Sequence, residues 1–409
     1  MDNWLTVYGL SAICIAMQFS SSRAGFLERN YPPSVSEDAH MTTLELLAKY
    51  KYPNEAHFVT TSDNYILGMH RIPRPGAQPV LLVHGILDSS ATWIMMGPQS
   101  GLAYYLYDSG YDVWMGNSRG NTYSRNHTSL DPNEDSAFWN FSWHEMGIYD
   151  LPAMIDTVLN VTRFAKLTYY GHSQGSTSFF VMASKLPEYN DKVHLMNGFT
   201  PVAFLGHMKT PTFHLIITKV LIFTGSNEAI ELYRHSHDNM HICLLSVLSM
   251  RFCLYYLFSA IGNNERELNK TMIPVIFGHL PAGCSTLQIK HYLQLTRSGR
   301  FHAFDYGAKI NRRIYGRLDP PDYPIGRITA PIALYYTHND PISVPEDVQR
   351  LANQLPNVVV NHLYSNPKWN HLDIMWGASM RFRTHPHILA ISRQFEKTIE
   401  NEHSFDLRI

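Results

Sequence analysis

Charge of one sign is what this chain lacks. Its 33 Lys and Arg stand against 34 Asp and Glu, a formal net charge of −1 at pH 7. No long run of Lys or Arg occurs, so there is no electrostatic footprint for nucleic acid or an anionic lipid surface, and neither partner is expected. Cysteine is also scarce, with four in 409 residues, too few for a scaffold held by disulfides. No internal repeat or low-complexity segment appears, which removes repeat architectures. The obvious candidate for a membrane span, "ICLLSVLSMRFCLYYLFSAI" (242–261), carries Arg251 at its centre. Arginine there costs roughly 2.5–3.5 kcal/mol on an insertion scale. With no second span nearby, amphipathic helices of a cap fit this run better than a stable transmembrane anchor.

What is present is core material. The chain is 45% hydrophobic and 16% charged, enough for one large α/β domain with an insertion, or for two domains. At the front, Trp4 to Phe19 is mostly apolar and is followed by Ser20, Ser21, Ser22, Arg23 and Ala24. An apolar stretch of that length before small residues reads as a signal peptide over 1–24, although Asp2 stands where basic residues are usual. Secretory passage fits four N-x-S/T sequons, at Asn126, Asn140, Asn160 and Asn269. Cleavage would remove Cys14 and leave Cys243, Cys253 and Cys284, an odd number that allows one internal disulfide. Cys243 and Cys253 are close enough to close a small loop and are the favoured pair; three buried thiols are the alternative.

Along the chain, "HFVTTSDNYILGMHRIPR" (57–74) reads as a hairpin turning at Ser62-Asp63-Asn64. "PVLLVHGIL" (79–87), "YDVWMGNSRG" (111–120) and "LTYYGHSQG" (167–175) are apolar runs ending in glycine, as expected of strands buried on both faces. Helix-length stretches at 98–109, 147–164 and 176–186 alternate with them. Further strands are expected at 196–204, 330–340 and 357–364. Strands alternating with helices predict a mostly parallel sheet with helices on both faces. The apolar region from about 211 to 262 differs in character and is expected to cap the sheet.

"GHSQG" (171–175) is a G-x-S-x-G pattern that a chain this long shows by chance roughly one time in seven. Its setting makes it informative. Ser173 lies between an apolar strand and a helix, where a tight turn with small neighbours lifts a serine hydroxyl above the sheet edge. A serine needs a base, and the base an orienting acid. In this arrangement both come later in the chain, acid first, each in a loop just past a strand. Asp340 ends "ALYYTHND", and His371 follows the strand "NVVVNHLY" and a polar loop. Asp347 sits deeper in a helix, His362 lies inside the strand, and Asp373 would serve only if Asp340 did not. Backbone amides of Gln174 and Ile86 are the candidate donors to an oxyanion.

These stretches resemble the acid lipases, the group that contains gastric and lysosomal acid lipase, within the α/β-hydrolases. The likeness runs collinearly from about residue 44 to 380 through "YPNEAHFVTTSDNYILGMHRIPR", "LLVHGILDSSATW", "GYDVWMGNSRGNTYSR", "FWNFSWHEMGIYDLPAMID", "YYGHSQGST", "HLPAGCSTLQIKHYLQL", "FDYG", "HNDPISVPEDV" and "NHLDIMWG". The resemblance implies an α/β-hydrolase fold with Ser173 as nucleophile, Asp340 as acid, His371 as base and Ile86 and Gln174 as oxyanion amides. It also implies a cap disulfide at Cys243–Cys253 and a core of 25–205 and 305–409 around a mainly helical cap and lid over 206–304. The expected activity is hydrolysis of neutral lipid esters, such as triglycerides or cholesteryl esters, in a secreted or lysosomal setting without a cofactor. An acyltransferase on the same fold and a non-catalytic lipid carrier are the alternatives. Thr337-His338-Asn339 stands where the family has a small glycine-rich turn, which puts the placing of Asp340 in question.

Other motifs carry less. "HSHDNMH" (235–241) offers His235, His237, Asp238 and His241, but His235 does not share a helical face with the other two histidines, and no metal site is expected. His172 is expected to pack or to hydrogen-bond behind the site, Arg119 to pair an acid structurally, and "FWNFSW" (138–143) to be aromatic core.

Overall fold

The runs that are apolar without alternation form strands buried on both faces. In the computed structural model, which describes residues 27, 29–209, 231–232 and 243–406, β1 (Glu55–Thr60) and β2 (Tyr65–Ile72) form the antiparallel hairpin. Asn64 turns it with φ 75°, a conformation asparagine tolerates better than most residues. β3 (Pro79–Val83), β4 (Asp112–Gly116), β5 (Leu167–His172), β6 (Val193–Phe199), β7 (Ile332–Tyr336) and β8 (Val358–Leu363) complete the main sheet. The order is β1-β2-β4-β3-β5-β6-β7-β8, with Asn126–His127 added beside β2. All pairings from β4 to β8 are parallel. The signal-peptide reading and the "HSHDNMH" cluster lie outside the described residues.

Successive side chains of β3 feed opposite faces, the period-two geometry of a strand. Leu81 and Val83 pack with Met154 and Ile155 of α2 (Leu151–Thr162) and with Phe179 and Phe180 of α3 (Gln174–Lys185). Val80 and Leu82 pack with Leu102 and Leu106 of α1 (Leu102–Asp108), and Ile388 joins that layer from the C-terminal helix. The aromatics Phe138, Trp139, Phe141 and Trp143 are buried in the first layer.

Between β6 and β7 the described residues add no strand to the main sheet. They contribute α4 (Val247–Ile261), α5 (Ile273–His279), α6 (Thr286–Ser298) and α7 (Ala308–Tyr315), and a two-residue pairing of Glu231–Leu232 with Cys284–Ser285. α8 (Pro345–Gln354) links β7 to β8, and α9 (His385–Asp406) closes the chain. Cys243 and Cys253 are joined as a disulfide that ties the chain just ahead of α4 to that helix's second turn, and Cys284 is a buried cysteine outside this bond. No described helix is long and apolar enough to cross a membrane.

The buried histidines set an acid limit on stability. Burial lowers His70 and His84 to about 4 and His385 to about 3, and lowers His172 and His291 as well. A base depressed on folding takes up its proton more readily when unfolded, so its stabilising contribution is present above about pH 6.5 and lost as pH falls toward 4. Burial acts oppositely on three carboxyls, raising Asp88 to about 7 and Asp150 and Asp373 to about 6. Their contribution is lost as pH rises from about 4 to 7. The histidines outnumber the carboxyls, so the melting temperature should climb from pH 4 to pH 6.5. A level or falling Tm across that interval would contradict this balance.

Candidate active site

The backbone at Ser173 is the first sign of chemistry. Ser173 sits between the end of β5 and the start of α3 with φ 49° and ψ −111°. A side-chain-bearing residue in so sparsely populated a region costs about 1–3 kcal/mol. The flanking glycines are needed for space: a Cβ on Gly171 would come within 2.9 Å of the Gly175 carbonyl carbon and the Ser176 nitrogen, and one on Gly175 would run into the Val83 carbonyl oxygen. The turn is held by Ser173 N–H donating to Phe199 O at 3.0 Å. Gln174 opens α3, so its N–H belongs to the first turn, which has no acceptor within the helix.

The loop after β3 lies against this turn. A Cβ on Gly85 would be 2.8 Å from His172 Nδ1 and 3.4 Å from Ser173 Cβ. His84 braces the loop. Ser118 N–H donates to His84 Nε2 at 3.1 Å, which leaves the proton on Nδ1, directed to Gly85 O at 2.7 Å. Burial keeps the ring neutral by lowering it to about 4, which suits an accepting Nε2. Across a trans peptide the carbonyl and the following N–H point in opposite directions. Fixing Gly85 O therefore fixes the Ile86 N–H. Next along, burial pushes the Asp88 carboxyl up to about 7, against the Ser89 N–H and the Thr92 hydroxyl. Thr92 in turn accepts from Trp376 Nε1 at 2.9 Å.

The acid and the histidine meet past the ends of β7 and β8. His371 Nδ1 lies 2.7 Å from Asp340 Oδ2, with both side chains buried. The other carboxylate oxygen, Oδ1, accepts the N–H groups of Ile342 and Ser343 at 2.8 and 2.9 Å. The rival residues go elsewhere. Asp347 binds His207 at 2.8 Å, Asp373 accepts from Asn264 Nδ2 and Asn370 N–H, and His362 stays within β8. His172 stands behind the site, its Nε2 3.2 Å from His371 O and its ring 5.1 Å from the His371 ring.

The described residues between β6 and β7 touch these turns directly. His371 N–H donates to Ile261 O at 3.1 Å, Asn370 Nδ2 to Gly262 O at 2.8 Å, and Asn339 Nδ2 to Asn263 O at 3.0 Å. Gly262 takes φ 96° against the Asn339 carbonyl, where a Cβ has no room. The bulk at Thr337-His338-Asn339 is thus accommodated: Thr337 is buried, and Asn339 binds the end of α4. On the other side, Gln288 of α6 donates to the Gln174 side chain at 3.1 Å. Cys284, Ile289 and Leu293 pack beside Ile86 and Leu87, an apolar wall next to the loop after β3.

Sequence reasoning did not foresee His84, Gln288 or the Asn264–Asp373 contact. A polar residue ending the apolar run "LLVHG" was the one local sign, at His84; the other two depend on pairings more than 100 residues apart. All four sequon asparagines are exposed. Among the described residues no cluster of three or more His, Cys, Asp or Glu could hold a metal ion.

Comparisons with known proteins agree with this fold. A family model described as "alpha/beta hydrolase fold" matches residues 78–378, and "Partial alpha/beta-hydrolase lipase region" matches residues 43–97. The chain is 44% identical to Lipase 1 of Drosophila melanogaster over 349 residues, covering 85% of this chain and 79% of the relative. It is 36% identical to the gastric triacylglycerol lipase of Mus musculus, covering 83% and 88%. To the lysosomal acid lipase/cholesteryl ester hydrolase of Homo sapiens it is 34% identical, covering 89% and 93%.

Proposed function

Because this chain belongs to the acid lipase family of the α/β-hydrolases, we propose that Ser173 is its nucleophile, His371 its base and Asp340 the acid that orients the base. The reaction is hydrolysis of a neutral lipid ester, triacylglycerol or cholesteryl ester. The observation that carries the reading is the strained Ser173 turn in a fold whose later loops hold a buried Asp340–His371 pair at 2.7 Å.

The steps follow from what each group can do. Ser173 Oγ attacks the ester carbonyl while His371 Nε2 takes its proton. Asp340, bonded to Nδ1, keeps the imidazole in the accepting tautomer and stabilises the cation that forms. The oxyanion is met by the Ile86 and Gln174 N–H groups, each donor worth ~10²–10³ in turnover. His371 then gives its proton to the leaving alcohol, and water repeats the cycle on the acyl-enzyme. The apolar wall of Ile289 and Leu293 beside Ile86 suits an acyl chain. Residues 206–304 act as cap and lid between core segments 25–205 and 305–409. A disulfide and four exposed sequons support passage through the secretory pathway.

Fluorophosphonate labelling followed by an ester panel tests the proposal. A single adduct on Ser173 and release of free fatty acid from long-chain neutral esters are expected. Absence of labelling on folded protein would indicate a non-catalytic carrier. Acyl transfer to added alcohol in preference to water would indicate an acyltransferase.

A further inference from the structure

Helix α7 (Ala308–Tyr315) is built the wrong way round for a helix that only has to fold. Its buried residue is polar: Asn311 donates to Asp305 Oδ1 at 2.7 Å and to Leu318 O at 2.8 Å, and accepts from Tyr306 N–H at 3.0 Å. Tyr315 anchors the same side through its hydroxyl, which donates to Phe304 O at 2.9 Å. The isoleucines are left outside. Ile310 is 43% exposed and Ile314 54%, and Leu318, just past the Gly316 cap, is 49% exposed. Leaving large aliphatics in water forgoes the burial energy that normally draws them inward.

Cations lie directly beside them. Ile310 and Ile314 are four residues apart and share a face; Lys309 and Arg313 form the adjacent row, also four apart. Arg312 extends the basic surface and Arg317 follows the cap. All four cations are exposed, and none makes an ion pair with a described residue. The nearby carboxylates do not neutralise them: Asp305 is taken up by Asn311 and the Gly307 N–H, and Asp322 pairs with Arg300 at 2.8 Å. Asp319 is the remaining anion of the stretch. An exposed aliphatic row flanked by unpaired Lys and Arg is the pattern of a helix that lies in an anionic lipid interface, with apolar side chains among the acyl chains and cations at the phosphates.

We propose that α7 is a docking element for anionic phospholipid surfaces, seating Ile310, Ile314 and Leu318 in the lipid and Lys309, Arg313 and Arg317 on its phosphates. It runs against the expectation from whole-chain charge, because a net charge near zero averages away a local basic face. It does not depend on the ester chemistry at Ser173.

The test is sedimentation of the full chain with vesicles of phosphatidylcholine alone and of phosphatidylcholine with phosphatidylserine. Each basic residue at such a surface contributes about fivefold in partitioning. Wild type should prefer the serine-containing vesicles by at least about tenfold, and raised salt should remove the preference. Lys309→Glu with Arg313→Glu should reduce binding to them by about 25-fold or more, while Ile310→Ser with Ile314→Ser should weaken binding to both vesicle types. Each double variant should retain hydrolysis of a soluble short-chain ester, since α7 contributes nothing to the triad. Equal binding of wild type to the two vesicle types would overturn the proposal without reference to any variant. So would charge-reversed protein that is folded and binds as wild type does.

Discussion

Ser173→Ala should leave the protein folded and reduce ester hydrolysis by on the order of 10⁴-fold or more. The loss is large because the triad acts as a unit: without the hydroxyl, the Asp340–His371 pair has no proton to take, and only the oxyanion amides and substrate binding remain. The fold should survive because alanine keeps the Cβ at φ 49° and so neither adds nor relieves backbone strain. Ser173→Gly separates the two effects. It would be as inactive, yet could recover part of the ~1–3 kcal/mol held in that turn, so it should melt above the alanine variant. The checks are turnover on a long-chain ester, fluorophosphonate labelling and thermal melting. Substantial hydrolysis by folded Ser173→Ala would remove Ser173 as nucleophile.

Arg119→Met should cause the largest loss of stability of any single substitution considered. Arg119 is 1% exposed, donates through Nε to Asp150 Oδ1 at 2.7 Å and through both terminal nitrogens to Asp63 at 2.6 and 2.8 Å, and lies 4.0 Å over the Tyr65 ring. Methionine keeps much of the volume but leaves two carboxylates facing each other, Asp150 fully buried. Breaking a buried pair from one side costs about 3–5 kcal/mol. The cost should depend on pH. Burial already raises Asp150 to about 6 against the opposing pull of Arg119; without the guanidinium it rises further, and a neutral Asp150 is tolerated. Asp150 stays above its unfolded pKa of ~3.9, so its penalty grows as pH rises through the folded value. The variant should therefore be closer to wild type at pH 5 than at pH 7.5 in urea unfolding. A loss below about 1 kcal/mol at pH 7.5 would show that the network is dispensable.

Much of the core was legible because its requirements are local. A strand buried on both faces needs an unbroken apolar run, which "PVLLV", "DVWMG" and "LTYYGH" supply. A turn too crowded for a Cβ records its need as glycine, which made Gly171 and Gly175 readable around Ser173. Asp340 and His371 could be picked out because each follows a strand, and the polar loop after a strand is where such groups emerge.

Orientation was not legible. Which nitrogen of His84 carries the proton is decided by Ser118, and the Gln174 side chain is held by Gln288, a partner 114 residues away. Asn339 looked too bulky for its turn until the end of α4 supplied an acceptor for it. Helix α7 shows the limit most plainly. Its periodicity alone would turn Ile310 and Ile314 toward the core, and only the docking of Asn311 on Asp305 and Leu318 turns them outward. By itself the sequence determined the strands, the tight turn at Ser173 and the placing of Asp340 and His371 just past later strands, because backbone geometry and burial act on neighbouring residues. The tertiary structure alone decided which side chains from the segment between β6 and β7 meet the turns of the sheet and which face of α7 sees solvent, because those outcomes depend on partners brought together only when the chain closes on itself.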